Sequence, residues 1–494
     1  MNVVDAPRPT KTARHTVPTH RAHPLPTGTA DGRNEAVSTS EQNPETSSET
    51  TASGTVAVEE VVDLVASLIR FDTTNTGDPA TTVGERECAE WVARQLEEVG
   101  YETEYVESGA PGRGNVFARL PGADRSRGAL LVHGHLDVVP AEPADWSVHP
   151  FSGAVEDGYL WGRGAVDMKD MVGMALALAR QFRSQGTVPP RDLVFAFLAD
   201  EEAGGKWGSH WLVEHRPDLF EGVSEAVGEV GGFSLTVARP DGEERRLYLV
   251  ETAEKGLAWM RLTAKARAGH GSFLHDDNAV TYLAEAVAAL GKHQFPLVMT
   301  ESVTEFLAAV SAETGLEFDP GSPDIDGTLA KLGSIARIVG ATLRDTANPT
   351  MLDAGYKANV IPQTATATVD CRVLPGRKEA FEKEVDELIG PHVERSWIAD
   401  LEPYETTFDG HLVDAMNDAI LAFDENGRTV PYMLSGGTDA KAFAKLGVRC
   451  FGFAPLKLPP ELDFAALFHG VDERVPVDAL VFGTKVFEHF LLHS

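Results

Sequence analysis

The period of the hydrophobic positions changes along the chain, and each change assigns an element. In "VEEVVDLVASLIRF" Val61, Val62, Leu64, Val65 and Leu68 recur at helical spacing. "ERECAEWVARQLEEVG" repeats that spacing up to Gly100, so two amphipathic helices are predicted. The runs "NVFARL" and "GALLVHG" are short and apolar, as buried strands are. A helix through "MVGMALALARQF" follows, and then a strand, "RDLVFAFLA", that leads into Asp200, Glu201 and Glu202. Strands alternating with helices predict an α/β fold, a mostly parallel sheet sandwiched by helices. Between residues 255 and 373 the texture changes. "LAWMRLTAKARA" and "ATATVDCRVL" alternate with period two around a helical "AVTYLAEAVAALGKH", which predicts an inserted α+β domain with an antiparallel sheet. The α/β pattern resumes after Pro375. The expected organisation is a tail at 1–55, a main domain in two parts at 56–254 and 374–494, and the insert at 255–373.

The tail is set apart by composition. It is rich in Pro, Thr, Ser and charged residues and almost without large apolar ones, so it is expected to be disordered. The chain as a whole has 494 residues, 43% of them hydrophobic, enough for more than one core. Its 43 basic and 75 acidic side chains give a formal charge of −32. Such a surface repels phosphate backbones and anionic membrane faces, so nucleic acid and membrane are not expected partners. Only Cys88, Cys371 and Cys450 occur, too few and too scattered for a disulfide framework or a thiolate metal site. With no apolar run of about 18 residues and no apolar signal core at the N-terminus, a cytoplasmic protein is expected.

Chemistry enters where polar residues interrupt apolar elements. In "LLVHGHLDVVP" the extended chain sends His133, His135 and Asp137 to one side. His-x-Asp can present an imidazole to a metal with a carboxylate behind it, although a structural histidine fits the same stretch, and His133 is read as one. Asp167 of "WGRGAVDMKD" stands just before an apolar helix, where an N-cap is the plain alternative. Glu201 and Glu202 are adjacent at a strand end and point different ways, so one can bind metal while the other faces water. Glu229 of "VGEVGGFS", His270 of "AGHGSFLHDD" and His469 of "LFHGVDERVPV" complete the candidates.

Taken in order, these motifs, with "NVIP", "DCRVLPG" and "SGGTDA", resemble those of the co-catalytic zinc metallopeptidase family that includes aminoacylase-1, carboxypeptidase G, acetylornithine deacetylase and succinyl-diaminopimelate desuccinylase. The resemblance spans roughly residues 57 to 490. It implies that His135, Asp167 and Glu229 bind one metal and that Asp167, Glu202 and His469 bind a second, Asp167 bridging. It implies that Asp137 orients His135 and that Glu201 is the general base. It makes the insert a lid that also forms a homodimer, with His270 reaching the partner's site to stabilise the oxyanion. Arg372 and backbone groups near Gly437 would grip a substrate carboxylate, with Asn359 a further binding candidate.

The implied cofactors are two divalent ions, zinc with cobalt or manganese as alternatives. Imidazole and carboxylate donors suit zinc, and the chain has no His-Glu-x-x-His helix to offer a different site. The implied reaction is hydrolysis of an N-acyl-amino acid or short peptide, releasing an amino acid with a free α-carboxylate. Two other readings are open. One is a di- or tripeptidase that holds a free amino terminus; the other is an inactive metal-binding partner module, against which the retention of Glu201 argues. Two positions depart from the family's habit: Asp170 and Val230 stand where many relatives have glycine. Glu rather than Asp at position 229 is the choice of the peptidase and aminoacylase branches and leans away from the desuccinylase.

Overall fold

The computed structural model describes residues 56–319, 327 and 339–494; the expected disordered tail at 1–55 lies outside the described residues. Two sheets organise what is described. The larger has ten strands. Across it run Thr103–Glu107, Gly114–Leu120, Leu193–Leu198, Ala129–His135, Val223–Gly228, Arg449–Gly452, Glu244–Glu254 and Tyr404–Glu405, with Gly427–Leu434 and Ser234–Ala238 also paired to Glu244–Glu254. The central strands, from Leu193–Leu198 to Arg449–Gly452, are parallel, and both flanks carry antiparallel pairs.

The strands Leu193–Leu198 and Ala129–His135 are buried along their whole length, as strands covered on both faces must be. On one face Leu130, Val132, Phe195 and Phe197 pack with the apolar stripes of the helices Ala57–Arg70, Arg86–Glu97, Lys169–Gln185 and Val477–His493. On the other, Leu131, Val194, Ala196 and Leu198 meet Leu212, Phe220 and Phe443. The predicted stop at Gly100 is real: its φ of 94° is one that L side chains avoid, and its N–H closes on the Glu97 carbonyl.

The smaller sheet is antiparallel throughout and has four strands, Thr346–Ala354, Thr364–Val373, Gly256–Lys265 and Val393–Leu401, in that order. Ala258, Met260, Leu262, Val369 and Cys371 bury its inner face under the helices Ala279–Lys292 and Lys378–Ile389. Val393–Leu401 and Lys378–Ile389 lie past residue 373, where the main pattern was expected to resume. A helix followed by a strand reads alike in either unit, and period alone does not say which sheet the strand joins. Conversely, Glu301–Thr314 falls inside 255–373, yet its Val303, Phe306, Leu307 and Val310 pack into the main core. Among the described residues no helix is long and apolar enough to cross a membrane.

Candidate active site

The strand Ala129–His135 delivers a fully buried His135 at its carboxyl end, where open α/β sheets place their ligands. Its Nδ1 lies 2.9 Å from the backbone oxygen of Asp137 and 3.5 Å from that residue's Oδ1. That contact turns Nε2 toward Asp167 Oδ1 at 3.2 Å, Glu229 Oε2 at 3.4 Å and Glu201 Oε2 at 3.9 Å. Asp137 also accepts hydrogen bonds from Asn75 Nδ2 at 2.9 Å and from the backbone N–H groups of Glu201 and Glu202, each at 3.1 Å. Asp137 thus fixes the imidazole, chiefly through its backbone oxygen, and through its carboxylate the turn that carries the two glutamates.

Asp167 precedes the helix Lys169–Gln185 without capping it: the N-cap is Met168, and no side chain caps there. Its carboxylate is turned to the site instead, with Oδ2 3.2 Å from His469 Nε2, which also lies 3.2 Å from Glu202 Oε2. The donor atoms of His135, Asp167 and Glu229 all fall within 4.8 Å of one another, and so do those of Asp167, Glu202 and His469. Asp167 is common to both groups, and Glu201 belongs to neither.

Electrostatically the cluster is short of positive charge. Burial, with Asp167 nearby, pushes the Glu229 carboxyl up to about 8, and burial with Glu229 beside it holds Glu201 well above the carboxylate range. Burial also opposes ionisation of Asp167, but hydrogen bonds with His135 and His469 prevail and hold it below its ordinary value. Hydrogen bonds to Asp167 and Glu202 raise His469 to about 10. Buried carboxylates crowded in this way call for a cation among them. His133, by contrast, packs 4.8 Å from the Phe443 ring, and burial lowers it to about 3, so it is a neutral structural histidine.

A cavity of about 1100 Å³ opens over the cluster, lined by Asp167, Glu201, Glu202, Glu229 and His469 and also by Arg372 and Gly437. Arg372 comes from the smaller sheet, its guanidinium held by Asp370 through hydrogen bonds of 2.8 and 3.2 Å. A Cβ at Gly437 would collide with Lys441 Nζ, which makes a buried 2.6 Å ion pair with Glu254. His270 and Asn359 lie elsewhere. His270 sits on, and Asn359 just before, the short pairing of Gly269–His270 with Val360–Ile361; both are exposed, and the Gly271 N–H donates to the Asn359 carbonyl at 3.0 Å. Neither lines the cavity.

Residues 131–493 match the description "Peptidase family M20/M25/M40". The chain belongs to that family. It is 28% identical to the N-fatty-acyl-amino acid synthase/hydrolase PM20D1 of Xenopus tropicalis over 85% of this chain and 83% of that protein. To aminoacylase-1 of Sus scrofa it is 27% identical, over 77% and 83%. Among solved structures, the M20 family metallo-carboxypeptidase of Sulfolobus solfataricus superposes with a TM-score of 0.66 at 19% identity, covering 88% of this chain and 99% of that one. Human carnosine dipeptidase 1 gives a TM-score of 0.62 at 19% identity, over 88% and 96%. As an M20 protein the chain is a metal-dependent amidohydrolase or peptidase, an enzyme acting on amide bonds.

The donor set fits that dependence, since each group offers an imidazole nitrogen with carboxylate oxygens, the ligands that zinc, cobalt and manganese take. The cluster also rests on residues that the sequence motifs do not single out. Glu473 Oε1 accepts from the N–H groups of Val166 and Asp167 at 2.7 and 3.1 Å, and Oε2 pairs with Arg163 at 2.6 Å. Arg163 also donates to the His469 carbonyl at 3.3 Å. This buried pair therefore holds the backbone of both Asp167 and His469. Both members lie inside the quoted motifs, Arg163 in "WGRG" and Glu473 in "HGVDERV", and that was the available signal. Replacing Arg163 by Met leaves the Glu473 carboxylate buried without its partner. We expect a loss of about 3–5 kcal/mol in denaturant unfolding; a loss below about 1 kcal/mol, the range of an exposed pair, would mean that the pair is not buried in solution.

Proposed function

We propose that this protein hydrolyses N-acyl-amino acids or short peptides at a dinuclear centre and releases an amino acid with a free α-carboxylate. The observation that carries the reading is the meeting of the two donor groups, the uncommitted Glu201 and Arg372 in one cavity. In this reading His135 and Glu229 would hold one ion and Glu202 and His469 the other, with Asp167 able to serve each, while Asp137 orients His135. The ions, when bound, supply Lewis acidity, polarising the scissile carbonyl and making the attacking water more acidic. Glu201 takes a proton from that water and hands it to the amide nitrogen as the C–N bond breaks. The water oxygen stays on the acyl carbon, so a carboxylate and an amine leave. Arg372, steadied by Asp370, binds the substrate carboxylate as a planar two-pronged donor, with the backbone at Gly437 beside it.

The four-stranded antiparallel sheet with its helices Ala279–Lys292 and Lys378–Ile389 serves as a lid and as the contact with a second copy. His270 and Asn359, exposed and outside the cavity of their own chain, then belong to the partner's site, where His270 donates to the developing oxyanion. Mixing His270→Ala with Glu201→Gln protomers should restore part of the activity that each lacks alone. No recovery in verified mixed dimers would refute the sharing. The reaction itself is tested by offering acetylated amino acids and free dipeptides to the zinc-, cobalt- or manganese-loaded protein. Cleavage of the acylated set is expected. Cleavage confined to dipeptides with a free amino terminus would replace this reading with the dipeptidase one.

A further inference from the structure

The cavity is far larger than its chemistry requires. At about 1100 Å³ it lies at the upper end of sites that enclose a drug-sized molecule, whereas an acetylated amino acid would occupy a fraction of it. Beside charged groups such as Lys206, Glu214 and Asp400, its lining carries large apolar side chains from two separate parts of the chain. On the smaller sheet the strand Gly256–Lys265 buries Ala258, Met260 and Leu262 inward, so Leu257 and Trp259 point the other way, over the cavity. Ile398, from the neighbouring strand, joins them. The open face of such a sheet is ordinarily polar. Here Trp259 is 40% exposed and Ile398 47% exposed, at the end of the sheet that overhangs the reacting groups. The same cavity is lined by Trp207 and Trp211, in the segment that follows Glu201 and Glu202, and by Phe468 next to His469. Large apolar side chains facing a water-filled space are unfavourable unless something apolar covers them. Because these residues adjoin Glu201, Glu202 and His469 in one continuous cavity, a substrate seated on the reacting groups can extend along them.

We infer that the acyl group released by this enzyme is a medium- to long-chain alkyl group, held against Trp259 and Ile398 of the smaller sheet and against Trp207 and Trp211. The inference rests on the reading that the site cleaves acylated amino acids. It adds what that reading leaves open, the chemistry of the acyl portion. Each methylene that enters such a cavity is worth up to about fourfold in affinity.

The test is a length series on one amino acid, acetyl-, hexanoyl-, decanoyl- and tetradecanoyl-leucine, assayed with the metal-loaded enzyme. Titration calorimetry of acetate, hexanoate and decanoate on the same protein gives a second readout, free of turnover. The value of kcat/KM should rise by at least about a hundredfold from acetyl to decanoyl, and decanoate should bind far more tightly than hexanoate. In Trp211→Ala and Trp259→Ala the decanoyl-to-acetyl ratio should fall by about tenfold or more, with the decanoate-to-hexanoate binding ratio falling in step. Cleavage of acetyl-leucine with no dependence on acyl length, or a preference that follows only the amino-acid side chain, overturns the inference and leaves the proposed reaction standing. If no acyl-leucine is cleaved yet decanoate binds in the length-dependent way, the proposed reaction fails while the apolar subsite stands. Equal and weak binding of all three acids would remove the subsite as well.

Discussion

Exchange of Glu201 for Gln should lower kcat by about a hundredfold to ten-thousandfold, with the metal content unchanged. The geometry separates these two effects. Glu201 Oε2 comes no closer than 3.9 Å to His135 Nε2, and the residue belongs to neither group of converging donors. Its backbone is fixed by Asp137, which accepts its N–H at 3.1 Å, so an amide of the same shape should stand in the same place. Glutamine keeps the volume and one acceptor oxygen but does not take up a proton at working pH. Substrate binding should survive, so the loss should appear in kcat rather than KM, as expected for an interaction made only on the way to the transition state. Elemental analysis of the purified variant supplies the second measurement. Full turnover would exclude Glu201 as the base; loss of an ion along with activity would make it a ligand instead.

The residues that sequence reveals are those whose type contradicts their surroundings. His135 and Asp137 stand out because they interrupt an apolar strand, and Glu201 and Glu202 because they end one. Asp167 is harder to assign, since aspartate before a helix is an ordinary cap. Its role is decided by direction, both oxygens facing imidazoles, and direction is a tertiary property. Glu473 shows the other limit. An acid in a polar motif reads the same whether it is solvated or, as here, fully buried on Arg163 and two backbone N–H groups. The central sheet was legible because its strands are short apolar runs between helices. The extent of the second sheet was not: Val393–Leu401 joins it only through pairing with Gly256–Lys265, more than a hundred residues upstream. Separation along the chain also hides the apolar lining of the cavity, since Trp211, Trp259 and Ile398 come to one cavity only after folding.

Asp167→Asn should be the most damaging single change, and its comparison with His469→Ala tests the architecture of the centre. In the structure Asp167 is the one residue shared by both donor groups, Oδ1 facing His135 and Oδ2 facing His469, each at 3.2 Å. Asparagine offers one oxygen and no charge, so each ion would lose a ligand and the site would lose the carboxylate that offsets two cations at once. Both ions should fall to trace occupancy on elemental analysis, and activity should drop to background even with excess metal. His469→Ala removes a donor from one group only and leaves His135, Asp167 and Glu229 together, so one ion per chain should remain. The fold should tolerate either change, because Glu473 holds the Asp167 backbone through its N–H rather than its side chain. Circular dichroism would verify that. Equal losses of metal in the two variants would contradict the bridging role, and two ions retained in His469→Ala would place the second ion on other residues.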